Sequence, residues 1–165
     1  VRAQLLRTFD PQERKWNTPP LSWPLAADFR METYAVVDWI CGEEVEPRIA
    51  RTHTDTEGHL VPEWNHTCHG RPYLGAGERF KIHVYEDSGS TPTLCGEACV
   101  SAEELLSDGG TPCSGAGGFG VSCSGPLRQL ALVLPGPVLE PTGTIIVQAQ
   151  LLDQSVMQAN DEPPL

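Results

Sequence analysis

The sequence has no long hydrophobic run. Its longest apolar stretches, such as residues 130–134 and 145–147, are far shorter than the roughly 20 residues that a helix needs to cross a bilayer. A transmembrane segment is therefore excluded. The chain also opens without the charged and then apolar leader of a secretory signal. We expect an intracellular protein, cytoplasmic or organelle-associated, and a targeting peptide that has been removed stays open as an alternative.

Positive charge is scarce. The 165 residues include 11 Lys and Arg against 22 Asp and Glu, which gives a formal net charge of −11. Neither DNA nor an anionic lipid surface attracts such a molecule as a whole, because both carry the same sign of charge. Nucleic-acid binding is therefore excluded, and a protein is the expected partner.

Motifs for catalysis and metal binding are missing. No C-x-x-C, G-x-S-x-G, H-E-x-x-H or phosphate-binding loop pattern occurs, so we expect a protein that is not an enzyme. The spacing of the six cysteines fixes no pairing, and buried free thiols are the expectation, with three disulfides as the alternative. The grouping of His66, Cys68 and His69 keeps a metal site with a catalytic role as a rival hypothesis, although its spacing is not that of a zinc finger.

Turn-forming residues are abundant instead. The chain contains 16 glycines and 15 prolines, which favours short elements joined by turns over a helical bundle. Phe80, Ile82 and Val84 alternate with polar residues, a pattern that predicts a strand with one buried face. One short helix is predicted where Ser101 and Glu104 form a capping box. Related patterns predict further strands at residues 1–5, 33–40, 49–54, 97–100, 127–134 and 144–151.

Five segments in order resemble the strands and turns of C2 domains. Residues 31–37 resemble the family's Asp-Pro-Tyr-Val-x-Val strand, residues 51–55 its Arg-Thr-Lys segment, and residues 58–65 its Asn-Pro-x-Trp-Asn turn. Residues 80–87 with 94–97 resemble its strand, loop and Leu-x-Gly-Glu, and residues 143–147 resemble its closing Gly-x-Leu-x-Val strand. The resemblance implies an all-β fold, an eight-stranded antiparallel C2-like β-sandwich with one short helix and long loops. This sandwich would span residues 1–152, with residues 153–165 as a C-terminal tail. The order of the strands resembles the second of the two permuted C2 topologies.

C2 domains that bind membranes commonly hold calcium through about five Asp carboxylates in loops at one end of the sandwich. The resemblance places Asp28, Glu32, Glu86 and Asp87 at positions of this kind. Glu is one methylene longer than Asp and crowds a tight site, and Thr93 stands where the last Asp is expected. We therefore expect a degenerate site and no cofactor, with calcium bound at these loops as the alternative.

The family's other route to a membrane is a basic face on its concave strands, where each cation adds about 1 kcal/mol of attraction to anionic lipid. Arg48, Arg51 and Lys81 would contribute to such a face. Acidic neighbours oppose it: Glu43, Glu44, Glu46, Asp55 and Glu57. A membrane-targeting module that binds phospholipid, with or without calcium, is therefore kept as the alternative function.

Trp16, Trp23 and Pro24 stand in the long segment between Asp10 and Asp28, outside the expected strands. Large apolar and conformationally restricted groups of this kind are typical of protein contacts. In the other interpretation, both tryptophans fold back over an open end of the sandwich. The leading hypothesis is a calcium-independent docking or scaffold module that binds protein partners within a larger assembly.

Overall fold

A computed structural model describes residues 2–6, 8–10, 15–17, 31–68, 73, 75, 77–87, 90–107 and 123–151, with the backbone alone for 8–10, 15–17 and 123. Most of the described chain is antiparallel β-strand, and the single helix is short. The all-β prediction is therefore confirmed. Among the described residues, no helix combines the length and the apolar composition that a membrane crossing requires.

Eleven strands and one helix occur in the described residues. They are β1 (Arg2–Leu5), β2 (Thr8–Asp10), β3 (Lys15–Asn17), β4 (Thr33–Cys41), β5 (Glu44–Arg51), β6 (Glu78–Glu86), β7 (Thr93–Ser101), α1 (Ala102–Leu106), β8 (Cys123–Ser124), β9 (Arg128–Leu134), β10 (Glu140–Val147) and β11 (Gln150–Leu151). Seven strands form one antiparallel sheet in the order β1-β10-β9-β7-β6-β4-β5, and β2 with β3 and β8 with β11 form two small sheets.

The core contains the residues that the alternation in β6 predicts. Ile82 and Val84 are buried, and Phe80 packs partly buried against them. Leu132 of β9 and Ile145 of β10 belong to the same buried cluster, although neither strand is a neighbour of β6 in the sheet. The sheet therefore folds over, so that residues of β4, β6 and β7 share one core with residues of β1, β9 and β10.

Residues 60–64 close one side of this core. Trp64 is buried, and its indole Nε1 donates a hydrogen bond to the carbonyl oxygen of Thr33 at 2.9 Å. The backbone N–H groups of Ala3 and Leu5 donate to carbonyl oxygens in this segment, at 3.0 and 2.7 Å. The outer edge of β1 is thus paired, which removes one of the two open edges that an open sheet presents to other chains.

The predicted capping box begins α1. The backbone N–H of Glu104 donates to the Ser101 hydroxyl at 3.1 Å, and the backbone N–H of Ser101 donates to the Glu104 carboxylate at 3.0 Å. The hydrogen bonds that the Glu104 carboxylate accepts from the Ser101 backbone N–H and hydroxyl lower the pKa of Glu104. The expected helix at this position is confirmed.

Two element predictions are wrong. The strand expected at 49–54 lies at Glu44–Arg51 instead, since a two-residue turn after Cys41 starts its pairing with β4 at once. The long segment between Asp10 and Asp28, expected to lie outside the strands, contains β3, which pairs with β2 as a hairpin. The tail predicted at 153–165 lies outside the described residues.

The four cysteines with described side chains carry free thiols, and their exposure differs. Cys95 is buried, as expected, and burial followed by the nearby Glu86 charge raises the pKa of its thiol. Cys68 and Cys99 are exposed, so the expectation of buried thiols is wrong for these two. Cys99 is on the solvent face of β7, and Cys68 lies in the irregular segment that follows Trp64.

Candidate functional site

Three of the four predicted calcium-loop acids lie at one end of the sheet, where β4 begins and β6 ends. Glu32 precedes β4, Glu86 is the last residue of β6, and Asp87 follows it. The backbone N–H of Asp87 donates to the carbonyl oxygen of Glu32 at 2.8 Å. Asp28, the fourth, lies outside the described residues.

Glu86 belongs to the interior rather than to the loop surface. It continues the inward-facing series of Phe80, Ile82 and Val84 by one more alternation, and it is fully buried. Its charge lies close enough to Cys95 to raise the pKa of that thiol. The Glu86 side chain therefore lies in the protein interior.

Asp87 is engaged by side chains of its own sheet. Its Oδ2 lies 3.7 Å from Nη2 of Arg51 and accepts a hydrogen bond from the Thr54 hydroxyl at 3.4 Å. In the described part of the chain, no three side chains of His, Cys, Asp or Glu converge as a metal site requires.

Asp55 organises the loop beside these acids, a role that its sequence position among the acids opposing the basic face did not indicate. Its Oδ1 accepts hydrogen bonds from the backbone N–H groups of Glu57 and Gly58, and its Oδ2 accepts from that of Glu63, all at 2.9 Å. Burial raises the pKa of Asp55, but the three hydrogen bonds outweigh it and leave the pKa lowered. A Cβ on Gly58 would clash with the Asp55 carboxylate and with the backbone of Pro62, so this close approach requires glycine.

The solvent face of β4, β6 and β7 carries a charged network, here called the outer face, of Asp38, Lys81, His83 and Glu97. Lys81 Nζ lies 2.9 Å from Glu97 Oε2, and His83 Nε2 lies 3.0 Å from Asp38 Oδ2. His83 Nδ1 also faces Glu97, at 3.6 Å. The Lys81 ammonium and the His83 imidazole thus each contact a carboxylate across these three strands.

Asp38 also repairs an irregularity in the sheet. The pairing of β4 with β5 shifts at this point, and Arg48 adopts a left-handed backbone conformation with φ of 56°. The backbone N–H of Arg48 donates to Asp38 Oδ1 at 2.8 Å, so the N–H that the bulge removes from the ladder is satisfied. The same carboxylate therefore holds both the bulge and His83.

Aromatic rings extend the outer face towards the loops. The rings of Tyr34 and Tyr85 stack with centroids 5.5 Å apart, and the guanidinium of Arg51 lies 4.1 Å from the centroid of Tyr34. Burial raises the pKa of Tyr34, and the charge of Arg51 opposes that shift in part. Arg51 is thus shared between an aromatic ring and the Asp87 carboxylate.

The predicted basic face is therefore brought together only in part. Arg51 and Lys81 do lie on the same side of the sheet, but each has a carboxylate partner, Asp87 and Glu97 respectively. Arg48 is exposed on the edge strand β5 and contributes its backbone to Asp38. Paired cations attract anionic lipid less than free ones do, since the potential outside the surface depends on the sum of both charges.

Removing one carboxylate of the outer face should cost a modest amount of stability. Glu97→Gln takes the negative partner from Lys81 and His83, both part-buried, and we expect a loss of about 1 kcal/mol in the free energy of unfolding. Urea denaturation measures it. Glu103→Gln is the matched control, because the Glu103 side chain is exposed on α1, and it should stay within about 0.5 kcal/mol of wild type. Equal effects of the two variants would contradict the network.

Most of the residues predicted to bind a protein partner lie outside the described residues. Trp23 and Pro24 lie outside the described residues, and Trp16 lies in β3 with its backbone opposite Phe9. A different apolar surface is described, at the turn between β9 and β10. Residues 135–139 are all exposed, with Val138 at 79% and Leu139 at 65%. We call these residues the apolar tip.

No family model, no curated protein and no solved structure matches this chain.

Proposed function

We propose that this chain is a non-catalytic docking module that binds a protein partner within a larger assembly and does so without calcium. The observation that carries the proposal is the pairing of charge on the candidate surfaces. Asp87 is held by Arg51 and Thr54, and Lys81 is held by Glu97, so neither a calcium ligand set nor a basic lipid-binding face is free for use in the described chain.

A C2-like sandwich is the proposed architecture for this module. The seven-stranded sheet folds over a common core, and Trp64, from the segment that resembles the family's Asn-Pro-x-Trp-Asn turn, is buried in that core. Under this proposal, the loops near Glu32 and Asp87 correspond to the calcium end of the family. Their acids would then be structural groups that have lost the ligand role.

Phospholipid binding is the competing function, and one observation favours it: the apolar tip is of a kind that can enter a membrane interface. The net charge of −11 opposes it, because anionic lipid headgroups repel an acidic protein. We therefore assign the exposed surfaces to contacts with protein.

Affinity purification of the tagged chain from the cells that make it tests the proposal. A calcium chelator and a non-ionic detergent wash should both leave a stoichiometric protein partner bound, since neither calcium nor lipid holds the complex. Release of the partner by the chelator, or recovery of the chain with phospholipid and no protein, would overturn the docking function.

A further inference from the structure

His59 is a buried histidine whose ring accepts a hydrogen bond from the backbone. It is 8% exposed, and the backbone N–H of Met31 donates to its Nδ1 at 3.1 Å. A backbone N–H can only donate, so Nδ1 presents its lone pair and the proton of the neutral imidazole is on Nε2. The hydrogen bond therefore requires the uncharged form of the ring.

This hydrogen bond joins two segments that are far apart in sequence. Met31 leads into β4 and belongs to the buried core, and Leu60, the residue after His59, packs against the same core. His59 itself has a left-handed backbone with φ of 48°, a conformation that few residues other than glycine adopt. Such a backbone persists where the surrounding contacts hold it in place, and the bond to Met31 is one of these contacts.

Residues 59–64 cover the outer edge of β1. The carbonyl oxygen of Leu60 accepts from the N–H of Leu5 at 2.7 Å, and that of Pro62 accepts from the N–H of Ala3 at 3.0 Å. The ring of His59 fixes the start of this segment to the residue before Glu32. Release of the segment would therefore return β1 to an open edge.

A second proton on the ring is incompatible with this arrangement. Both ring nitrogens of an imidazolium are donors, so the Nδ1–H would point at the Met31 N–H, and a buried charge would lack an acceptor at that position. A histidine in an unfolded chain has a pKa of about 6.5. The released state therefore binds more protons than the closed one below this pH, and the stability of the closed state falls as the pH falls.

The elements that border His59 carry charged groups of their own. They are Arg2 and Glu63, which pair at 3.7 Å beside β1, Glu32 before β4, Asp55 and Glu57 in the preceding turn, and Glu86 and Asp87 at the end of β6. Carboxylates favour an imidazolium, but the Asp55 carboxylate is occupied by three backbone N–H groups, whereas the Met31 N–H is in direct contact with the ring. Carboxyl groups ordinarily titrate near about pH 4 and histidines near about 6.5, so the range from pH 7.5 to pH 5 follows the histidines.

We propose that His59 is an acid-sensitive latch: its uncharged ring holds residues 59–64 against β4 and β1, and uptake of a proton by the ring releases them and uncovers the edge of β1. This inference concerns the response of the fold to acid. It does not depend on the docking function.

Nitrogen-15 spectra of the imidazole rings in the intact chain test the protonation of His59 directly. At pH 7.5 we expect Nδ1 to appear as an unprotonated nitrogen and Nε2 as a protonated one, and the folded chain should keep this pattern down to pH 5. The chain unfolded in urea is the reference, in which the same ring takes up its second proton. A proton on Nδ1 at pH 7.5, or equal titration in the folded and unfolded chains, overturns the latch.

Urea denaturation of the wild type and of His59→Asn at pH 7.5 and pH 5 measures the effect. The Asn side-chain oxygen can accept from the Met31 N–H without titrating, and Asn tolerates a left-handed backbone. We expect the ratio of the wild-type folding constant to that of His59→Asn to fall by about 30-fold between the two pH values. For His53→Asn, a control at an exposed position, the ratio should change by less than about 3-fold. A constant ratio for His59→Asn overturns the latch, and the ring spectra of the wild type decide the matter if that variant does not fold.

Hydrogen exchange distinguishes release of the segment from unfolding of the whole domain. In the wild type at pH 5, the amides of Ala3 and Leu5 should exchange faster than those of β6, because they lose their acceptors when residues 59–64 leave. Their protection, corrected for intrinsic exchange, should fall by about 30-fold from pH 7.5 to pH 5 in the wild type and by less than about 3-fold in His59→Asn. Exchange of these amides at the rate of β6, or an equal fall in both proteins, overturns the latch.

Discussion

Replacing Trp64 by alanine is expected to lower the free energy of unfolding by about 4 kcal/mol. The indole is buried in the core, and its Nε1 donates to the carbonyl oxygen of Thr33 at 2.9 Å. The variant leaves a cavity of nearly a whole side chain and an acceptor without its donor. Since a domain of this size is stable by about 5–15 kcal/mol, such a loss should be evident in a urea denaturation curve followed by circular dichroism.

Trp64→Phe is the matched control for this variant. It keeps most of the aromatic volume and removes the N–H donor, so we expect a loss of about 1–2 kcal/mol. A loss below about 1 kcal/mol for Trp64→Ala would be typical of a surface residue. That result would contradict the packing of residues 60–64 against the folded-over sheet.

Asp55→Ala is expected to cost about 3 kcal/mol, because it removes the acceptor of three backbone N–H groups at about 1 kcal/mol each. Asp55→Asn is the control. Its carbonyl oxygen can replace Oδ1, which accepts two of the three bonds, so we expect about half of that loss. Chemical denaturation at pH 7 measures both variants, and equal losses would contradict the role of Oδ2 as the acceptor from Glu63.

The same carboxylate makes part of the stability depend on pH. The pKa of Asp55 is lower in the folded protein than its ordinary value. Its contribution is therefore complete above the unfolded pKa of about 3.9, and it is lost as the pH falls through the lowered folded pKa. The stability difference between wild type and Asp55→Asn should shrink between pH 5 and pH 2. A difference that is constant over this range would show that the carboxylate charge does not hold the loop.

The strands of the core could be predicted from sequence because alternation depends on neighbouring residues alone. Phe80, Ile82 and Val84 are examples. Extending the same alternation by one step would have placed Glu86 inside the protein, whereas the family resemblance assigned it to a calcium loop. For the burial of this residue, the alternation of inward and outward side chains along β6 was the better predictor.

Turn chemistry explains the misplaced strand. Gly42 has φ of +60° and is the first residue of a two-residue turn between Cys41 and Glu44, and glycine at that position is typical of the tight turns in hairpins. The Glu and Pro residues that follow have poor strand propensity, yet they suit an edge strand that must not pair further. The glycine therefore indicated a hairpin here more strongly than the low strand propensity of residues 44–47 argued against one.

The charge pairs of the outer face could not be predicted. Lys81 and Glu97 are neighbours only through the register of β6 with β7, and Asp38 meets His83 across β4 and β6. Register depends on the packing of the whole sheet. The exposure of the tip was hidden for a similar reason, since Val138 and Leu139 look like core residues until the fold is known.

Vesicle sedimentation tests most directly whether this module binds protein rather than membrane. The intact chain is mixed with vesicles of phosphatidylcholine, phosphatidylserine and phosphatidylinositol bisphosphate, with and without about 1 mM calcium, which would occupy even weak protein calcium sites. We predict that the chain stays in the supernatant under both conditions, as its charge and its paired cations require. Sedimentation with the vesicles, in either condition, would contradict a protein-docking function.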